Sequence, residues 1–292
     1  MAAIDATTGL EVEAPEVQAE VNYIRNPRAS AGEPKLEFCT EEESLSTMQT
    51  LPGEAMAIRS ARGLSTSLDR EGFVLVPHVS QVEDFRLIEE DPAVDQLYVD
   101  EMATLLREVT GGIFAMMLGG GKKRFGESAT SLLAPLINAK PARYAHADNT
   151  DISAQALFAH ITAAAGDRLP PNARWAMYNM WRAVSPPPQD FPLAVCDARS
   201  VRADDEVTVT AVTSTRGVGD MRHDTTAYVH NPEHRWHYFP DMTRDEVIVF
   251  KAHDSQEGAV RRVPHTAFTD PNCPPGTPTR ASVEARGLVI FV

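Results

Sequence analysis

Cysteine is scarce in this 292-residue chain, with three residues at Cys39, Cys196 and Cys273. The odd count and the lack of any CxxC spacing exclude a disulfide scaffold and fit a reducing compartment. Positive charge is scarce too. Only 27 Lys and Arg face 41 acids, for a net charge of −14. That leaves no basic patch for nucleic-acid phosphates and no attraction to an anionic membrane. No stretch approaches the roughly 20 apolar residues that span a bilayer. The opening MAAIDATTGLEVEAPEV carries acids where a signal peptide has a basic region followed by an apolar one. The expectation is a cytoplasmic protein without nucleic-acid or membrane partners. The sequence has no internal repeat.

A 43% hydrophobic and 23% charged composition is that of a globular protein with a sizeable core. All-β barrels and sandwiches use well over 200 residues as one unit, so the length is compatible with one domain. Residues 1–20, with alternating small, acidic and Pro residues, read as a flexible lead, and residues 21–292 as a single domain. Residues 21–60 have no clear period. GFVLVPHVS (Gly72–Ser80) reads as a strand. Asp95–Glu108 reads as a helix, with Leu97, Met102, Leu105 and Leu106 near one face and Thr110-Gly111-Gly112 as its stop. Gly112–Leu118 follows as a buried strand. Asp151–Ala165 is a second helix, with Asp151 as N-cap and Gly166 as stop.

From Ala173 onward the character changes to short β-branched or aromatic runs separated by Pro, Gly and Asp: 173–184, 206–214, 226–229, 236–239, 246–252 and 282–292. Helices first and then an antiparallel β body predict a mainly β fold with flanking helices, a barrel or jelly roll. The Ala-rich helical first half is compatible with a homodimer.

Three segments carry chemistry. In Tyr144-Ala145-His146-Ala147-Asp148, strand alternation puts the imidazole and the carboxylate on one face. That pair suits a six-coordinate iron(II) that takes a third His from elsewhere and keeps three positions open. Alone, the HxD spacing equally describes a surface His beside an Asp, but it occurs once in this chain. The second segment is PHTAF (Pro264–Phe268), then a Pro-rich turn, then Arg280-Ala281-Ser282-Val283-Glu284-Ala285-Arg286 and a terminal apolar strand. Arg280, Ser282, Glu284 and Arg286 share a face. A strand ending GLVIFV reads as central, where inward arginines are costly without an anion to bind. An Arg-x-Ser pair offers a carboxylate a guanidinium fork plus a hydroxyl, which favours Arg280 over Arg286. An edge strand with its charges in water is the other reading.

The third segment, Tyr178–Arg182, puts Asn179, Trp181 and Arg182 in an apolar strand, either lining a pocket or serving as core with a salt bridge to Asp190 or Asp197. His230, His234 and His237 crowd around Trp236. Pro232 inside HNPEH argues against a ligand-presenting helix, leaving a turn that enters a strand, with His237 in reach of a substrate. Gly119–Gly121 before Lys122-Lys123-Arg124 lacks the phosphate-loop frame and reads as a flexible basic loop. Cys196 reads as a core thiol.

The ordered blocks HxDxT, NMWRAVSPPPQDFPLAVCDARSV, HRWHYFPDMTRDEVIVFKAHDS, PHTAFTDP and RASVEARGLVIF resemble the hydroxylase/desaturase family of fungal and bacterial secondary metabolism. That family includes the aspergillic-acid pathway hydroxylase, the gibberellin desaturase and a component of cephamycin methoxylation. The N-terminal half agrees through Asn22–Ile24, the GFVLVPHVSQVEDF run and the helix around Tyr98. The resemblance implies a jelly-roll (double-stranded β-helix) enzyme that uses iron(II), 2-oxoglutarate and O2 to hydroxylate or desaturate an unactivated C–H bond of a small-molecule substrate. It implies His146, Asp148 and His265 as metal ligands, with His265 opening one strand and the cosubstrate arginine on the next antiparallel one. It also implies Arg280, Ser282 and Arg286 toward 2-oxoglutarate and Asn179, Trp181 and Arg182 around the pocket. The chain departs from the family pattern at His253, where an aromatic is usual, and at GGGKKR, so substrate identity does not carry over. A catalytically silent accessory barrel of a biosynthetic pathway is the alternative reading. A cupin-like enzyme without 2-oxoglutarate is a third, which the inward C-terminal arginines oppose.

Overall fold

The computed structural model describes residues 3–4, 11–12, 15–26, 36–39, 47–125, 142–165, 173–215 and 219–292. In chain order the strands begin with β1 (Ala3–Ile4), β2 (Glu11–Val12), β3 (Glu16–Val21), β4 (Glu37–Cys39), β5 (Glu54–Ser60) and β6 (Phe73–Pro77). Helix α1 (Pro92–Thr110) precedes β7 (Phe114–Met117), β8 (Lys122–Phe125) and β9 (His146–Ala147), and helix α2 (Asp151–Ala165) follows them. The β body continues with β10 (Trp175–Ala183), β11 (Leu193–Cys196), β12 (Glu206–Thr215) and β13 (Gly219–Tyr228). It ends with β14 (Trp236–Tyr238), β15 (Glu246–Asp254), β16 (His265–Ala267) and β17 (Ala281–Ile290).

Two sheets face each other as a jelly roll. One has the order β6-β15-β10-β17-β7, with β8 also on β17; the other runs β3-β5-β14-β11-β16-β9-β13-β12-β4. Strand β10 explains the layering. Every residue of WAMYNMWRA is buried, because the strand is central and covered on both faces. Its even-numbered residues Tyr178 and Met180 pack with Tyr98, Met102 and Leu106 of α1. Its odd-numbered residues turn into the barrel, where Trp181 and Ala183 meet Leu193, Val195, Ile248 and Phe250 from both sheets. Burying side chains such as Met102 and Leu106 stabilises the helix–sheet contact by roughly 1.5–3 kcal/mol each.

Helix α1 begins three residues before the expected Asp95. Asp91 accepts from the Ala93 N–H and Pro92 occupies the first turn, where it lacks only an N–H that would be unpaired anyway. Gly111 ends it at φ 70. Helix α2 starts as expected, but its cap is Thr150 rather than Asp151. Thr150 Oγ1 accepts from the Ser153 N–H at 3.0 Å, and Ser153 Oγ accepts from the Thr150 N–H at 2.9 Å. Gly166 lies outside the described residues.

Four other expectations change. Residues 16–20 of the expected lead belong to β3, where Val17, Ala19 and Val21 are buried in alternation. The 112–118 segment is an edge strand, with Ile113 and Phe114 about half exposed, because β7 has one neighbour in its sheet. Lys122–Phe125 is a strand on β17 and not a flexible loop. Asp95 accepts from the Gly121 N–H at 3.0 Å, and a Cβ on Gly120 would sit 2.1 Å from that carboxylate. Finally, β16 and β17 are successive in sequence but lie in opposite sheets. No helix among the described residues is long and apolar enough to cross a membrane.

Candidate metal centre

A single register line across the larger sheet organises the site. His237 pairs with Val195, Val195 with His265, His265 with His146, and His146 with Ala227. Because His265 and His146 are direct cross-strand partners, their rings lie side by side, with centroids 4.3 Å apart. Asp148, two residues past His146, turns to the same side, and its Oδ1 is 3.9 Å from His146 Nε2. One ligand atom from each of His146, Asp148 and His265 lies within 4.8 Å of the other two.

Each of these side chains is aimed by a second group. His146 Nδ1 lies 2.8 Å from the Tyr144 carbonyl, and His265 Nδ1 lies 3.2 Å from the Val263 carbonyl. A carbonyl only accepts, so Nδ1 carries the proton on both rings and Nε2 keeps its lone pair. Tyr144 and Phe250 pack against the His146 and His265 rings at 4.9 and 4.8 Å. Asp148 Oδ2 accepts from Asn179 Nδ2 at 2.6 Å and from Arg286 Nε at 3.0 Å. That leaves Oδ1 free beside the imidazoles.

The electrostatics suit a cation. Burial alone would raise the Asp148 carboxyl, but Arg286 and the two imidazoles outweigh it and hold the group well below the usual carboxylate range. Burial, and next the neighbouring His265, pulls His146 down to about 4. Two imidazoles with Nε2 free and one ionised carboxylate, with open positions beside them, form the donor set that iron(II) requires.

Deeper in the barrel, Arg280 is 2% exposed. Its Nη1 donates to Ser282 Oγ at 2.6 Å, and its guanidinium lies 5.5 Å from the centroid of the Trp181 ring. Nε and Nη2 are buried with no partner. Burial draws this guanidinium down to about 10, against the opposing pull of Asp190. A sequestered cation with two unused donors is set up for an anion.

The remaining expected residues divide. Asn179 reaches the centre through Asp148, and Trp181 floors the Arg280 niche. Arg286 is engaged with Asp148 and with Glu284, and its side chain is 44% exposed. Arg182 is not at the site. Being even-numbered on β10, it points to the α1 side, where it donates to the carbonyls of His78 and Arg244 and lies within 6 Å of the Phe85 and Tyr98 rings. Neither suggested acid partners it: Asp197 binds Arg199 and Arg235, and Asp190 accepts from the Arg280 backbone. His237 faces inward but is two strands from His265, about 10 Å away, against Phe73.

Sequence reasoning missed Tyr144 and Val263, whose carbonyls fix the imidazoles. Each lies two residues before its histidine, a position that strand alternation singles out. It also missed Asp151, three residues after Asp148. Asp151 pairs with both Arg261 and Arg262, the latter three residues before His265.

Residues 21–290 match a family model described as Oxidoreductase/YMDC permease-like domain. The chain is 31% identical to the hydroxylase/desaturase efuI of Hormonema carpetanum, over 96% of this chain and 97% of that one. It is 27% identical to the Fe(II)/2-oxoglutarate-dependent dioxygenase nvfI of Aspergillus novofumigatus, over 77% and 78% of the two chains. In fold it is similar to the solved iron and alpha-ketoglutarate-dependent endoperoxidase NvfI, with a TM-score of 0.78 at 23% identity, covering 94% of this chain and 98% of that one.

Proposed function

This chain belongs to the iron(II)/2-oxoglutarate-dependent hydroxylase/desaturase family of secondary metabolism, and from that premise we propose how its residues carry out the family's reaction. His146, Asp148 and His265 hold iron(II) on one face. Arg280 and Ser282 hold the far carboxylate of 2-oxoglutarate. The product is a hydroxylated or desaturated small molecule.

The observation that carries this reading is the pairing of two incomplete polar sites within one barrel. Three donors converge with their free atoms together, and a buried guanidinium ends in two unpartnered N–H groups. Each incompleteness is costly unless a ligand resolves it, and a metal with a chelating dicarboxylate resolves both. Bound there, iron and 2-oxoglutarate supply the oxidising chemistry, with succinate, CO2 and an oxidised C–H bond as the outcome. The protein's part is orientation and exclusion of water. The Tyr144 and Val263 carbonyls hold the imidazoles in their ligating tautomers, and Asn179 and Arg286 leave Asp148 one oxygen to offer. Trp181 and Phe250 keep the interior dry.

Between the two arginines, the geometry favours Arg280 for the cosubstrate. Arg286 is already committed to Asp148 and so acts through the metal ligand. Free Cys196 and Cys273 support the proposal that the enzyme works in the reducing cytoplasm. Succinate formation tests the assignment: it should require added iron(II) and disappear in His146→Ala, and persistence in that variant would refute the trio.

A further inference from the structure

A cavity of about 260 Å3 lies between the loops that follow β10, β14 and β16. It is separate from the metal centre. His237 turns into the barrel, so Tyr238, the next residue of β14 and part of the cavity wall, turns outward. Two polar wall residues are almost wholly buried, with Gln189 4% and Tyr238 5% exposed. Gln189 Nε2 donates to the Met242 carbonyl at 3.0 Å, which fixes the amide because a carbonyl only accepts. Gln189 Oε1 and the Tyr238 hydroxyl make no hydrogen bond among the described residues.

Two carboxylates, Asp241 and Asp270, line the same cavity and form no ion pair among the described residues. Burial, and next the charges of Asp270 and Asp241, push the Tyr238 hydroxyl up, so both carboxylates bear on it. No lining residue is basic. Arg62, which donates to the Pro240 carbonyl at 2.7 Å, is committed to Glu246 through bonds of 2.6 and 2.9 Å.

We propose that this cavity binds a small aliphatic cation with several N–H donors, held by Asp241 and Asp270, with Gln189 Oε1 and the Tyr238 hydroxyl as further acceptors. The site does not depend on the oxygenase reading.

An acidic cluster alone would be an ordinary solvated face of a chain with a net charge of −14. The two desolvated acceptors set this one apart, because an acceptor without a donor is costly and an N–H-bearing ligand resolves it. Pro188, Pro192, Pro240 and Pro274 reinforce the bias, since they pack against an aliphatic body and offer no backbone N–H. An anion would meet two carboxylates and no basic residue. A metal ion fits poorly, because Asp241, Asp270 and Cys273 do not converge as the His146, Asp148 and His265 atoms do. The volume is just under the roughly 300–1,000 Å3 of small-molecule sites, so the occupant is compact.

The test titrates N-butylguanidinium and its neutral isostere N-butylurea into the full-length protein by ligand-observed NMR at low salt. Charge-assisted hydrogen bonds predict roughly tenfold tighter binding of the guanidinium. Asp241→Asn together with Asp270→Asn keeps the shape and should bring the two probes within about twofold. Tyr238→Phe removes only an unpartnered hydroxyl, so the fold should survive while both probes weaken about threefold. Asp148→Ala should leave both affinities unchanged, which separates this cavity from the metal centre. The peptide acetyl-Gly-Arg-Gly-amide should bind no more tightly than N-butylguanidinium. No binding to the wild type, equal affinities there, or a charge preference that survives the paired Asn substitutions would overturn the proposal. So would undiminished binding to Tyr238→Phe, lost binding in Asp148→Ala, or tighter binding of the peptide, which would make the occupant a protein side chain.

Discussion

Asn179 Nδ2 donates to Asp148 Oδ2 at 2.6 Å across the gap between the two sheets. The strand opposite the metal-site sheet therefore determines which carboxylate oxygen remains free. Such outer contacts are commonly worth 10–100-fold in metal affinity or activity. Asn179→Ala should weaken iron(II) binding by about that factor in an anaerobic chelator competition. Asn179→Asp should be worse, since it sets a second carboxylate against the first. Wild-type affinity in both variants would mean that the contact does not position the ligand.

The two arginines should separate by kinetics. Arg280→Gln should raise the KM for 2-oxoglutarate by about 30-fold or more, the cost of losing a charge-assisted carboxylate clamp. Its affinity for iron should stay near that of the wild type. Arg286→Gln should do the reverse, weakening iron(II) through Asp148 with a smaller change in KM. Without cosubstrate, Arg280→Met should be as stable as the wild type or more so, because it removes a buried cation with unused donors. Thermal melts with and without 2-oxoglutarate read this directly: the cosubstrate should raise the wild-type Tm and leave that of Arg280→Met unmoved.

Asp151 ties the start of α2 to the segment before His265 through Arg261 and Arg262, and buried Arg262 also reaches Glu206 at 2.6 Å. Asp151→Ala removes one of the two counter-charges of Arg262. Asp151 is one-third exposed and Glu206 remains, so the loss should be about 1–3 kcal/mol rather than the full cost of a stranded buried charge. Urea denaturation measures it. The exposed Asp84–Arg86 pair is the control, and Arg86→Ala should change stability little.

Burial holds His146, His237 and His253 at about 4 in the metal-free protein, against about 6.5 for an unhindered imidazole. Between these values the unfolded chain binds more protons than the folded one, so stability is complete above about pH 6.5 and falls as pH drops toward 4. Asp148 acts in the same direction at lower pH, because its carboxylate stays ionised in the fold below the range where an unfolded Asp protonates. Melting curves of iron-free protein should be level above pH 7 and decline steeply between 6.5 and 4. A profile flat to pH 4 would contradict the burial of these rings.

Much of the site was readable in the residues because strand periodicity is strict. HxD and Arg-x-Ser each place two side chains on one face whatever the tertiary packing, and both pairs converge in the structure. Arg182 shows the limit. Alternation separates it from Asn179 and Trp181, but nothing local says which face of a doubly covered strand is the interior, and α1 supplies the second cover. Strand β3 was hidden because Glu16, Gln18 and Glu20 alternate with small apolar residues, a pattern that also describes a disordered acidic lead. The assignment of β16 and β17 to opposite sheets depends on pairings with strands far away in sequence, which no local pattern encodes.

Anaerobic titration of 2-oxoglutarate into the iron(II)-loaded protein tests the central assignment most directly, because it reports on metal and cosubstrate together. A visible charge-transfer band should develop in the wild type, vanish in His146→Ala and Asp148→Ala, and require much more 2-oxoglutarate in Arg280→Gln. A wild type without the band, or an undiminished band in His146→Ala, would contradict the His146, Asp148 and His265 centre.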